Sequence, residues 1–275
     1  MAEEKILKGI REEIDKISIV DSHEHIRRQS DFIADRQNLF TSLRHCLVYP
    51  DFISAGTAST DWERNSTEPE EGWKRIKPYI GDVKTTSYFR TLMIAYKDLF
   101  DFRYGEITDA NWRELSNKIS EVYQREDWYE FVFKQKLNID VAIWDAFWDP
   151  GALEVEKKFF IPTLRMDPFL FVRSKKFVPE YLIEKISEKW GVVYETFDEY
   201  LGLIDLAFRK IKEQGRVCIK IAVAYCRPLV FEDVTKTKAE KIFYMPEDEI
   251  RRADAKKLED YIMRFIIRKT WFNLP

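Results

Sequence analysis

The run Ile17-Ser18-Ile19-Val20, followed directly by Asp21-Ser22-His23-Glu24-His25, constrains this chain more than any other stretch. Its β-branched residues predict a strand over roughly Ile17 to His23. Side chains along a strand point alternately to its two faces. Ile17, Ile19, Asp21, His23 and His25 therefore share one face, with Ser22 and Glu24 on the other. Two imidazoles spaced in this way can converge on one cation, because neutral imidazole binds Zn at about 2.0–2.1 Å and also suits Mn, Fe or Ni. The competing reading is a pair of polar loop histidines. The position at the end of a strand favours the metal, since reacting groups of parallel barrels gather at the carboxyl ends of their strands.

The remaining elements follow from periodicity. Ile6, Leu7, Ile10 and Ile14 recur at helical spacing among charged residues, so an amphipathic helix precedes the strand. From Asp31 to about Gln135 the chain shows no β/α alternation. Its aromatic and charged text predicts a helical insertion over 31–135, with helices at Glu70–Tyr79, Ser87–Leu99 and Asn111–Tyr123 and with Asp109 as N-cap of the third. Alternation resumes with strands at Ile139–Trp144 and Phe159–Arg165. Helices are expected from Pro179 to about Lys189 and from Phe197 to Glu213, the latter ended by Gly215. Val217–Ala224 has the apolar text of a buried parallel strand, and a long amphipathic helix runs from Asp248 to about Trp271.

Four strands ended by polar residues and linked by helices predict an α/β fold with a parallel sheet. A complete (β/α)8 barrel takes about 250 residues, and the insertion uses a large share of the 275 available. The expectation is one domain over 1–275: a partial (β/α)8 TIM barrel of about four strands, incomplete towards the C-terminus, with the helical insertion after strand 1.

Three further positions carry chemistry. In the fourth strand Lys220 shares a face with Cys218, Ala222 and Ala224, opposite the bulky Ile219, Ile221 and Val223, and so points to the interior. A buried ammonium needs a partner, which could be a metal site, a substrate anion or a structural carboxylate. Arg165 and Asp167 end the third strand on a common face and could orient a substrate carboxylate and a water, or form a salt bridge to a neighbouring loop. Asp145 after the second strand and Arg227 after the fourth are candidates to line the same site. His45, the remaining histidine, falls in the insertion and is expected to pack or face solvent.

Composition narrows the partners. The 45 Lys and Arg nearly cancel the 48 Asp and Glu, so no strong field would draw nucleic acid or an anionic membrane. A small-molecule substrate is expected, and self-association stays open as a way to cover sheet edges. The charged N-terminus and the lack of an apolar run of roughly 18–20 residues predict a cytoplasmic protein without a membrane span. Cys46, Cys218 and Cys226 show no Cys-x-x-Cys spacing and are expected to be reduced thiols.

Val20-Asp21-Ser22-His23-Glu24-His25-Ile26 resembles the Asp-x-His-x-His signature that opens the amidohydrolase superfamily, and the insertion resembles that of relatives of uronate isomerase. The resemblance is specific over residues 15–30 and looser, in strand and motif order, over 136–275. It implies a metal-dependent enzyme, hydrolysis first, with isomerisation or decarboxylation as alternatives, acting on a small carboxylated substrate. It implies that His23 and His25 are ligands of a catalytic divalent metal, zinc foremost. It also implies that Lys220 either bridges two metals once carboxylated or meets a substrate anion. Further His ligands and an essential Asp belong to later strands of that family. The alternative is a non-catalytic interaction protein whose loop happens to contain His-x-His.

Overall fold

Five short strands organise the part of the chain that carries the histidines: β1 (Ile19–Glu24), β2 (Ile139–Trp144), β3 (Phe160–Pro162), β4 (Leu164–Arg165) and β5 (Ile219–Lys220). The structure, a computed structural model, describes residues 2–149, 151, 156–215 and 218–273. All strand pairs are parallel. β2 lies between β1 and β3, with Ile19 opposite Ile139, Glu24 opposite Trp144 and Trp144 opposite Pro162. β4 pairs with β5, Leu164 opposite Ile219 and Arg165 opposite Lys220.

The expected third strand is present but broken at Thr163. Its amide still donates to Trp144 of β2, at 2.8 Å, while the next two residues pair with β5. The chain thus passes from one parallel neighbour to the next, in sequence order. The fourth strand is much shorter than the expected Val217–Ala224. Val217 lies outside the described residues, and after Lys220 the ladder stops because the Ala222 amide is taken by the Asp167 carboxylate. A 3-10 turn at Val223–Tyr225 follows, leaving Tyr225 exposed.

Helices on this part of the chain pack against the segments of β4 and β5. The helix Phe197–Glu213 begins as the sequence predicts, with Thr196 and Glu199 forming a reciprocal capping box, and Gly215 follows it at φ +68°. Its Tyr200, Ile204, Ala207 and Phe208 are buried with Leu164 and Met166 of the strand segment and with Leu258 and Ile262 of the helix Arg252–Asn273. The helix Ile183–Trp190 starts later than expected, and Gly191 in the left-handed region ends it. The last helix likewise starts at Arg252 rather than Asp248, because residues 246–249 form a turn in which the Glu249 amide donates to Pro246.

The chain divides into two compact units. The strands belong to Ile17–Ile26 with Ile139–Pro275, whereas Arg27–Asn138 and Met1–Lys16 form a helical unit. The expected insertion helices appear there as Pro69–Ile76 with a 3-10 extension over Lys77–Tyr79, Ser87–Phe100 and Trp112–Tyr123. Asp109 is not the cap of the last one. It accepts from the Trp73 indole at 2.7 Å and pairs with Lys77, while Asn111 occupies the N-cap position. Trp73 and Trp112 stack at 5.6 Å, so the aromatic text of this segment is used largely in packing. The helix Ala2–Ile14 presents Ile6, Leu7, Ile10 and Ile14 to solvent. Among the described residues no helix is long and apolar enough to cross a membrane.

Candidate active site

The carboxyl ends of the parallel strands bring His23, His25, Asp145, Arg165, Asp167 and Lys220 into one connected cluster. At the end of β1 the two imidazoles meet edge to face, with centroids 4.5 Å apart. Their amides are satisfied locally: His23 N–H donates to Asp21 Oδ1 at 3.1 Å and His25 N–H to Glu24 Oε1 at 2.7 Å. Glu24 is half-buried, and that burial holds its carboxyl above its ordinary range.

The two rings have different hydrogen-bond roles. His25 Nδ1 lies 2.8 Å from the Asp145 carbonyl oxygen. A carbonyl only accepts, so Nδ1 is the donor of this pair, which leaves Nε2 as the nitrogen that could ligate, the arrangement common to metal-ligating histidines. His23 Nδ1 lies 3.1 Å from Lys220 Nζ. An ammonium only donates, which makes His23 the acceptor in this pair. Burial, then the charges of Lys220 and His25, hold the His23 pKa below its ordinary value, so the ring is neutral at neutral pH.

Asp145, at the end of β2, is nearly buried and accepts from Arg165 through both oxygens, from Nη2 at 2.5 Å and Nε at 3.3 Å. A planar guanidinium matches a carboxylate in this bidentate fashion. Arg165 Nη1 also lies 3.8 Å from Asp167 and 3.5 Å from the Tyr181 hydroxyl. Asp167 is completely buried, and both of its oxygens accept the Ala222 N–H, at 2.8 and 3.0 Å. Burial outweighs that donor and the nearby guanidinium, and pushes the Asp167 pKa up to about 6. Asp167 therefore acts on β5 and Arg165 from behind the cluster.

The sequence candidates thus separate. His23, His25, Asp145, Arg165, Asp167 and Lys220 are joined. Arg227 is engaged elsewhere, donating to Glu259 at 2.9 Å and to Asp260 of the last helix, with all three buried. His45 sits in the helical unit with its ring edge on Phe32. Two residues of the cluster went unmarked by sequence reasoning. Tyr181 lies in an irregular segment, and Phe147 lies in the turn after β2, where an aromatic residue carries no periodic signal.

Among the described residues, no group of three or more His, Cys, Asp or Glu is placed to hold a metal ion. Two open pockets of about 380 and 450 Å³ lie in the helical unit, lined by residues such as Phe89, Met93 and Ile107 in one and Asp98, Arg103 and Lys118 in the other. Neither includes a histidine, so chemistry rather than volume selects the strand-end cluster.

No protein-family model matches this chain, and no curated protein matches it by sequence. Among the solved structures that resemble it in fold are two. One is uronate isomerase from Thermotoga maritima, with a TM-score of 0.62 at 15% identity, covering 94% of this chain and 58% of that one. The other is a protein from Lactobacillus casei provisionally named a metal-dependent hydrolase, with a TM-score of 0.51 at 17% identity, covering 96% of this chain and 58% of that one. The chain thus spans 58% of the length of each. At such identities the likeness is one of fold.

Proposed function

We propose that β1 to β5 are the first four strand positions of a (β/α)8 barrel, and that their ends form part of an amidohydrolase-type site for a small carboxylated substrate. The observation that carries this reading is the convergence of two imidazoles, two carboxylates and two cations at the carboxyl ends of consecutive parallel strands. The fold likeness to a uronate isomerase and to a protein named as a metal-dependent hydrolase supports it.

A divalent metal, zinc foremost, fits the site in part. His25 can offer Nε2, whereas the lone pair of the neutral His23 is taken by Lys220 and becomes a ligand only once that bond is given up, and the described residues add no third ligand. His23 and His25 would hold the ion, with water completing its shell. When bound, such an ion polarises a carbonyl and lowers the pKa of water towards about 7. The protein's own groups do the positioning. The Asp145 carbonyl fixes the His25 tautomer, and the Arg165 clamp on Asp145 fixes that carbonyl's residue. Asp167 holds the start of the turn after β5, and with it Lys220 beside His23. Lys220, with no carboxylate in ion-pair range among the described residues, is the cation that meets a substrate anion. Hydrolysis is the reaction this set suits first. Isomerisation or decarboxylation of a carboxylated substrate would use the same contacts.

Zinc titration of the whole chain, with and without His23→Ala, tests the reading. Weak, chelator-reversible binding that disappears in the variant is expected. Binding of the same strength in His23→Ala would remove the metal site, and tight stoichiometric binding would show that the ligand set is fuller than two histidines.

A further inference from the structure

The helix Ser87–Phe100 carries two apolar stripes, and packing inside the helical unit uses only one of them in full. Phe89, Leu92, Tyr96 and Phe100 recur at helical spacing and are buried. Met93 and Ile94 lie beside that stripe and line the open cavity of about 380 Å³, where Phe89 forms part of the wall. Ile94 is 63% exposed. Ile80 and the buried Ile107 line the same cavity from two other segments of the unit. A single exposed isoleucine needs no explanation. One that shares a cavity with four further apolar side chains, drawn from three segments, forms a wall, and the volume lies within the range of about 300–1,000 Å³ usual for small-molecule sites.

The charged side chains of the lining select among apolar ligands. They are Lys84, Arg90 and Glu106. Lys84 donates to Glu106 at 2.8 Å, which neutralises both and ties the wall that holds Ile80 to the wall that holds Ile107. Among the described residues no carboxylate pairs with Arg90. The cavity is left with one uncompensated positive charge. Arg90 precedes Ile94 by four residues and so lies on the same helix face, one turn away. The start of this helix adds to the positive field, since its first turn holds no acidic residue and the Thr86 side chain caps no amide. We propose that this cavity is a second ligand site, and that it takes a small amphipathic monoanion: an aliphatic carboxylate whose head pairs with Arg90 and whose chain lies on Met93, Ile94 and Ile107. A neutral apolar molecule leaves the guanidinium unused, and an alkylammonium meets a like charge. Met93, unbranched and polarizable, can adapt to chains of different shape. No residue of the strand-end cluster takes part, so this inference stands or falls independently of the reading given for that cluster.

The test is an NMR titration of the whole chain, isotope-labelled at its methionine methyls, with octanoate, octanol and octylammonium. Of the five methionines only Met93 lines the cavity. Its methyl should shift with a saturable midpoint as octanoate is added, while those of Met166, Met245 and Met263, in the other unit, stay in place. Octanol should bind at the same methyl about five-fold more weakly, the worth of a partly exposed ion pair, and octylammonium more weakly still. Arg90→Gln should bring octanoate down to the level of octanol and leave octanol unchanged. Ile94→Asp should weaken both. Both positions are exposed, so neither substitution should disturb the fold. Octanoate that shifts other methionines and spares Met93 would overturn the proposal, as would octanol binding as tightly as octanoate or an octanoate preference that survives in Arg90→Gln. If none of the three probes moves the Met93 methyl, the cavity is no site for such a ligand and the proposal fails.

Discussion

Replacing Asp167 with Asn should make the chain more stable in mildly alkaline buffer and less stable in acid. The Asp167 carboxyl is buried, and its pKa is raised from 3.8 to about 6. Between about pH 4 and 6 the folded chain keeps a proton that the unfolded chain has released, so native stability falls as pH rises through this window. At about 1.4 kcal/mol for each tenfold change in proton affinity, the charged carboxylate costs about 3 kcal/mol above pH 6. Asn never ionises, and its side-chain oxygen still accepts the Ala222 N–H. It gives up the doubled acceptor and buries an amide NH2, together worth about 1 kcal/mol. The variant should therefore be about 1 kcal/mol less stable than the native chain at pH 4 and about 2 kcal/mol more stable at pH 8. Urea unfolding of both chains at intervals between these values measures the difference, in which the other titrating groups cancel. A difference that stays flat with pH would refute the reasoning. So would one that runs the other way, because it would mean that Arg165 and the Ala222 amide hold the carboxylate ionised.

Two further outcomes follow from named contacts. Arg227→Met should destabilise the chain by about 3–5 kcal/mol in denaturant melts, because Glu259 and Asp260 would be left buried without their shared cation; a loss below about 1 kcal/mol would mean that Arg252 and Lys256 suffice to neutralise them. Lys220→Ala should raise the His23 pKa in an NMR titration, since the Lys220 charge is the largest cause of its lowering after burial. An unmoved His23 with a shifted His25 would place the lysine beside the other ring.

Much of the fold was legible in the sequence because its elements are signalled locally. β2 matches the apolar run Ile139–Trp144, and the helix Phe197–Glu213 begins and ends where its capping residues say it should. What escaped reading is set by contacts distant in sequence. Nothing in Thr163 announces that the chain leaves β2 there for β5. The apolar text after Lys220 promised a longer strand, and a carboxylate 55 residues away takes the amide that would have continued it. Asp109 looked like a helix cap until a tryptophan from another helix claimed it. In the site, strand alternation was enough to pair His23 with His25. It could not show that their ring nitrogens have opposite roles, because those depend on Asp145 and Lys220, each from a different strand.

The charges of the cluster also decide between two residues that looked equivalent. Arg165 and Lys220 both end parallel strands, side by side in register, and either could have met a substrate carboxylate. Arg165 is largely buried and already bonded through two nitrogens to Asp145, with Asp167 and Tyr181 at its third. A second carboxylate there would have to break a bidentate pair and leave Asp145, itself nearly buried, without its cation, a loss on the order of several kcal/mol. Among the described residues Lys220 meets only a neutral imidazole, and an ammonium has three donors. An incoming anion can take one of the others without displacing any charge. The same step fixes what Arg165 is for: it keeps Asp145 in place, and through the Asp145 carbonyl it holds the His25 ring. On the proposed reading, anion binding and imidazole orientation would fall to neighbouring residues of one register, Lys220 and Arg165, and a substitution at either should disturb one without the other.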